Sequence, residues 1–167
     1  MAVYKKMNKA LFLDRDGVIN IEKNYLYRVE DLEFIDGIFE VVKYYYDKGY
    51  LIIIVTNQSG IARGYFSEDD FWNLMYKITK EFEKRGVKLT HIYYCPHHPD
   101  ITGECECRKP KPGMILEAIR TYNIDPQQSI LIGDSKRDIE AANNAGIENT
   151  YFVKNNLKDY VRRIYGK

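Results

Sequence analysis

The sequence predicts an α/β protein built on a doubly wound, mostly parallel sheet. Short apolar runs of strand length alternate with stretches of helical period along nearly the whole chain. Several of those runs end in residues able to do chemistry: Asp14, Thr56, a Cys/His loop and Asp134. In doubly wound sheets ligands gather beyond the carboxyl ends of the strands, so the alternation and the placement of these residues point to one architecture.

The first strand is the run Ala10-Leu11-Phe12-Leu13, closed by Asp14-Arg15-Asp16-Gly17-Val18-Ile19-Asn20. Residues 21–37 show no sustained period and read as a loop or small hairpin beside the site. Gly37 precedes a helical pattern, with Ile38, Val41, Val42 and Tyr45 on one face and Gly49 as its cap. Leu51-Ile52-Ile53-Ile54-Val55 is a second buried strand, leading into Thr56-Asn57-Gln58-Ser59-Gly60. Ser67 begins the next helix with Asp70 as its capping-box partner, and Phe71, Leu74, Met75, Ile78 and Phe82 form its core stripe. His91-Ile92-Tyr93-Tyr94 is a third strand, followed by the aperiodic Cys/His loop. Pro112, at a first-turn position, opens a helix to Tyr122. Ile130-Leu131-Ile132-Gly133 makes the fourth strand, and a helix follows from Lys136 to Asn144. Thr150-Tyr151-Phe152-Val153 is the fifth strand, and Leu157 to Ile164 the last helix.

A chain of 167 residues builds one proper core but is short for two, so a single domain over 1–167 is expected. A net charge of +1 creates no field to draw the molecule to nucleic acid or an anionic membrane. No apolar run reaches membrane-spanning length, and Met1-Ala2-Val3-Tyr4-Lys5-Lys6 has no apolar stretch behind it to form a signal peptide. The expectation is a soluble cytoplasmic monomer without nucleic-acid or membrane partners. The three cysteines all lie between 95 and 107, an odd number that argues for a metal rather than a disulfide framework.

In an extended backbone, residues i and i+2 point to the same side. Asp14 and Asp16 therefore share one site only if their repulsion is neutralised, and a hard divalent cation such as Mg²⁺ suits them. Gly17 lets the chain leave the strand sharply, and Asp134 adds a third carboxylate. Thr56 and Asn57 offer a hydroxyl, an amide and backbone N–H groups to phosphate oxygens. Arg108 and Lys109 bring adjacent cations, the first suited to a bidentate grip and the second to a point charge. Cys95-x-His97 and Cys105-x-Cys107 supply three thiolates and an imidazole, a closed tetrahedral set for structural Zn²⁺, with His98 a competing ligand.

Asp14-Arg15-Asp16-Gly17-Val18-Ile19-Asn20 resembles the first motif of the haloacid dehalogenase superfamily of phosphatases. Thr56 resembles its second motif, Lys109 its third, and Gly133-Asp134-Ser135-Lys136-Arg137-Asp138 its fourth. Thr56-Asn57-Gln58-Ser59-Gly60-Ile61-Ala62-Arg63-Gly64 and Cys95-Pro96-His97-His98-Pro99, with Cys105 to Pro110, are similar to the branch acting on heptose bisphosphates. A related branch acts on histidinol phosphate. The resemblance runs from about residue 8 to 153; one departure is Ser135, where that branch carries Lys.

The resemblance implies a Rossmann-like core without a large cap domain and a Mg²⁺-dependent phosphatase with Asp14 as nucleophile and Asp16 as general acid–base. It implies Mg²⁺ on Asp14, Asp134 and the backbone carbonyl of Asp16, and Zn²⁺ on Cys95, His97, Cys105 and Cys107. Thr56 and Lys109 would stabilise the phosphoryl group, and Asp138 would support the site. Glu22, Lys23, Asn24, Tyr25, Asn57, Gln58, Ser59 and Arg108 would contact a small sugar bisphosphate destined for nucleotide-activated heptose and surface glycan. The competing readings are histidinol-phosphate hydrolysis, a receiver-type phosphorylation module and a zinc-organised binding module.

Overall fold

The structure, a computed structural model, describes residues 6–166; the Met1–Lys5 stretch read for a signal peptide lies outside them. Five parallel strands form the sheet: β1 (Ala10–Leu13), β2 (Leu51–Asn57), β3 (His91–Cys95), β4 (Ile130–Gly133) and β5 (Asn149–Phe152). Their order is β3-β2-β1-β4-β5, so the chain winds outward in both directions from β1. Around them lie α1 (Ile38–Asp47), α2 (Glu68–Lys84), α3 (Pro99–Thr102), α4 (Gly113–Tyr122), α5 (Lys136–Asn144) and α6 (Lys158–Tyr165).

Alternation along the strands divides the core in two, because successive side chains face opposite ways. Leu11, Leu13, Ile52, Ile54 and Ile132 pack against α1, α2 and α6, through residues such as Val41, Leu74 and Tyr160. Phe12, Ile53, Val55 and Leu131 pack the other way, against Met114, Ile115 and Ala118 of α4 and Ala141 and Ala142 of α5. Both faces of the sheet are covered, which is why the strands read as continuous apolar runs.

The register places the site. Leu13 lies opposite Ile54 on one side and Ile132 on the other. The residues that follow, Asp14, Thr56–Asn57 and Asp134, therefore emerge side by side at one sheet edge. This is the topological switch point, where chains diverge from neighbouring strand ends and leave a crevice.

The elements depart from the sequence expectation at their ends. β2 runs through Thr56 and Asn57 because these pair with Tyr94 and Cys95, which also lengthens β3 by a residue. β5 starts and ends one residue early; Val153 donates its N–H to Gly133 at 2.7 Å. Pro112 is the N-cap of α4 rather than a first-turn residue, and α6 begins after Leu157. A short helix, α3, interrupts the loop expected to be aperiodic, with His98 as N-cap and Pro99 in its first turn. The 21–37 segment is hairpin-like, tied by Ile21 N–H to Glu33 O at 2.8 Å and Ile35 N–H to Ile19 O at 2.9 Å.

Candidate active site

Asp14 follows the last residue of β1, and its Oδ1 accepts from Arg15 N–H at 2.8 Å and from Lys109 Nζ at 3.2 Å. Lys109 is 2% exposed, and its ammonium also reaches Asp138 Oδ1 at 2.6 Å and Val55 O at 2.9 Å, so all three donors are used. Asn57 holds the lysine's backbone by a reciprocal pair, accepting from Lys109 N–H at 3.0 Å and donating to Lys109 O at 3.2 Å. Asp138, in the first turn of α5, turns its second oxygen to Asp134 N–H at 3.1 Å and to Ser135 N–H at 3.2 Å.

Asp14, Asp134 and Asp138 each bring a carboxylate oxygen within 4.8 Å of the others. Both oxygens of Asp138 are committed, so Asp14 and Asp134 are the pair free to ligate a cation. Three carboxylates against one ammonium leave excess negative charge in a desolvated place. Burial pushes Asp14 well above the usual carboxylate range, with Lys109 pulling it back and the neighbouring aspartates pushing it further. Burial and then Asp138 lift Asp134 to about 6. For Asp138, burial works against ionisation, but the Lys109 ammonium wins and holds it below the ordinary value. This donor set, all hard oxygen and short of positive charge, fits Mg²⁺.

Asp16 lies outside that trio although it shares the same cavity. Its Oδ1 accepts from Arg15 Nη2 at 2.9 Å and Asn20 Nδ2 at 3.0 Å, and its Oδ2 from Gln58 Nε2 at 3.0 Å. Arg15 is fully buried, donates to Leu26 O at 2.9 Å and sits 5.8 Å from the Phe71 ring centre. It thus ties the acid to the 21–37 loop. Sequence reasoning missed this clamp: an Arg between two Asp reads as part of a motif, and only the packing of Leu26 and Phe71 shows where it points. Gly17 has φ +84°, and a Cβ there would stand 1.8 Å from Asp134 Oδ2, so the backbone turn and the carboxylate occupy adjoining space.

The carboxylates floor a cavity of about 180 Å³ that continues into a second of about 380 Å³. Glu22, Asn24, Tyr25, Asn57, Gln58, Ser59 and Arg108 line the second, together with Arg63 and Arg137. Lys23 is turned away to an ion pair with Glu33. Thr56 is fully buried and lines neither cavity; its hydroxyl accepts from Gln58 Nε2 at 2.9 Å.

The thiols of Cys95, Cys105 and Cys107 lie within 4.8 Å of one another, 2.7 Å separating Cys95 from Cys107 and 3.6 Å separating Cys95 from Cys105. All three are free of disulfides. Burial pushes Cys95 and Cys107 up, so three thiolates cannot gather there without a soft cation; the donor set suits Zn²⁺. The imidazole of His97 is not within that group, and His98 Nδ1 accepts from Asp100 N–H at 3.2 Å as the cap of α3. Arg108 Nη1 donates to His97 O at 3.3 Å, linking the cysteine loop to the cavity wall.

Comparison with known proteins gives the same direction. A HAD-hydrolase-like family model matches residues 106–159, which hold Lys109, Asp134 and Asp138. The chain is 52% identical over 151 residues to a D-glycero-alpha-D-manno-heptose-1,7-bisphosphate 7-phosphatase of Campylobacter jejuni, covering 90% of this chain and 86% of that one. It is 51% identical over 152 residues to the beta-named counterpart of Pasteurella multocida, covering 89% and 83%. The chain belongs to the HAD-like hydrolase family. The crystal structure of D,D-heptose 1,7-bisphosphate phosphatase from B. bronchiseptica, complexed with magnesium and phosphate, superposes with a TM-score of 0.81 at 30% identity, covering 93% of this chain and 86% of that one. As a member of this family the protein is a phosphoric monoester hydrolase. No helix of the described residues is long and apolar enough to cross a membrane.

Proposed function

We propose that this hydrolase removes the 7-phosphate of D-glycero-D-manno-heptose 1,7-bisphosphate through an aspartyl-phosphate formed on Asp14. The observation that carries the reading is the division of labour between two aspartates two residues apart. Asp14 lies against Lys109 and within reach of Asp134, whereas Asp16 is held apart by Arg15, Asn20 and Gln58. One is placed to meet phosphorus and the other to handle protons.

In the first half-reaction an Asp14 oxygen bonds to phosphorus as the bond to the sugar oxygen breaks, and Asp16 gives its proton to that leaving oxygen. In the second, Asp16 takes a proton from water, which attacks the phosphorus and releases inorganic phosphate from Asp14. Lys109, hydrogen-bonded to Asp14, Asp138 and Val55 O, would act on the transferring group through its nearby positive charge, the chief need in such transition states. Thr56 serves from beneath by fixing Gln58, and through it Asp16. Asp14, Asp134 and the backbone carbonyl of Asp16 would hold Mg²⁺, whose charge offsets the repulsion between carboxylate and phosphate. Cys95, Cys105 and Cys107 would hold Zn²⁺ in a structural role, with His97, whose imidazole stands outside the thiol group, as the fourth ligand on reorientation. The sugar and its second phosphate would occupy the larger cavity, Arg108 meeting that phosphate. The product, a heptose 1-phosphate, has the form that nucleotidyl transfer consumes, which suits a step toward surface glycan.

The test is phosphate release with Mg²⁺ from both anomers of the heptose bisphosphate, fructose bisphosphate and histidinol phosphate. The heptose bisphosphate is expected to lead, and Asp14→Asn to lose at least about 10³-fold in kcat. A preference for histidinol phosphate, or an Asp14→Asn variant as active as the parent, would overturn the proposal.

A further inference from the structure

We propose that Arg137 determines specificity by binding the second phosphate of the substrate, a role that rests on the sugar-bisphosphate reading above. Arg137 stands in the first turn of α5 and lines the phosphoryl-transfer cavity, the larger cavity beyond it and the pocket against the cysteine loop. It shares the larger cavity with Arg63 and Arg108, which approach from other segments.

Its electrostatic position is unusual. The N-terminal end of a helix carries positive partial charge, and cations there are disfavoured. Two cations nevertheless open α5, Lys136 and Arg137. Lys136 is 90% exposed at its side chain, lines none of the three cavities and lies 3.9 Å from Glu140. Arg137 has neither an ion pair nor a side-chain hydrogen bond among the described residues. Of the other cations around the cavities, Lys109 is taken up by Asp14 and Asp138, whereas Arg108 gives one donor to His97 O and Arg63 lies 6.0 Å from the Tyr25 ring centre, so Arg137 joins these two arginines in facing the larger cavity. A free guanidinium, placed where the helix repels it and open to the cavity that would hold the sugar, is set to receive an anion brought by the substrate.

The placement also accounts for Ser135. Its side chain caps α5 in a capping box with Asp138, which the metal-side geometry needs. The cation of this segment therefore stands two residues further on. Arg137, rather than its neighbour Lys136, faces the substrate.

The proposal is tested with D-glycero-D-manno-heptose 1,7-bisphosphate and the matching 7-phosphate, which lacks the second anion. Arg137→Gln is expected to lower kcat/KM for the bisphosphate by about 10- to 100-fold, chiefly through KM, and to leave the 7-phosphate within about two-fold. Arg137→Lys recovers part of the loss, and Lys136→Ala changes neither substrate. Equal losses on both substrates, or no loss on either, overturn the assignment while the parent still prefers the bisphosphate. A parent that shows no such preference overturns the sugar-bisphosphate reading itself, and the assignment with it.

Discussion

Two aspartates of one motif end in different surroundings, and single contacts decide which does what. Asp14 is left facing Lys109 and Asp134, whereas the Arg15 fork, Asn20 and Gln58 hold Asp16 outside the carboxylate trio. Directly after them Gly17 turns with φ +84°, and its missing side chain makes room for Asp134. Gly17→Ala would place a carbon 1.8 Å from Asp134 Oδ2 in a backbone region that side chains avoid. Displacing a reacting group by about 1 Å typically costs 10²-fold, and a loss of about that size in kcat/KM is expected. Phosphate release and far-ultraviolet circular dichroism on the same sample check it, since the fold should persist while turnover falls.

Among the elements, α2 shows how a helix outside the site is held. Its apolar stripe of Phe71, Leu74, Met75, Ile78 and Phe82 is fully buried, and its capping box joins Ser67 and Asp70. On its last turns Glu81 accepts from Lys84 at 2.9 Å and Arg85 at 3.1 Å, with Lys77 at 3.0 Å. These hydrogen bonds, Lys84 first, hold the Glu81 carboxyl down at about 2. A folded-state value below the unfolded one stabilises above the unfolded pKa of about 4.3, and that stabilisation is lost as pH falls toward the folded value. Because the group is near solvent, salt screens it and the gain is modest. Glu81→Gln is expected to lower the thermal midpoint by about 2 °C at pH 7. Calorimetry should show the gap to the parent closing as pH falls from about 4 toward 2, and narrowing at high salt.

At the scale of the molecule, the parallel sheet gathers strand ends that are far apart in sequence. Leu13 pairs with Ile54 on one side and Ile132 on the other, so Asp14, Thr56–Asn57 and Asp134 just beyond these pairs meet over one crevice. The cysteine loop reaches that crevice from the edge strand β3, with Arg108 and Lys109 following Cys107 directly. A metal on the thiols would therefore brace the two cations of the site. Removing it with a chelator, or by Cys107→Ala, is expected to lower activity about tenfold or more, in the range seen when supports of a site are loosened, while the sheet stays folded. Zinc content by atomic absorption, kcat/KM and circular dichroism measured together check this. Full activity without bound zinc would rule it out.

Much of this was legible in the chain itself. Apolar runs and helical periods place the strands and helices to within a residue or two, because burial on both sheet faces and amphipathic helices leave direct marks on residue order. The acidic motif, Lys109, Asp134 and the cysteines are also visible, since hard and soft ligands are chemically distinct residue types. What local order does not encode is contact across the fold. Only the packed structure turns Lys23 away to Glu33, buries Thr56 beneath the cavities and sets Asp138 against Lys109. It also spends Arg15 on Asp16 and Leu26, and places Arg137 on the cavity wall without an ion pair among the described residues. Each of these outcomes depends on which distant backbone or side chain arrives alongside, a property of three-dimensional register rather than of residue type.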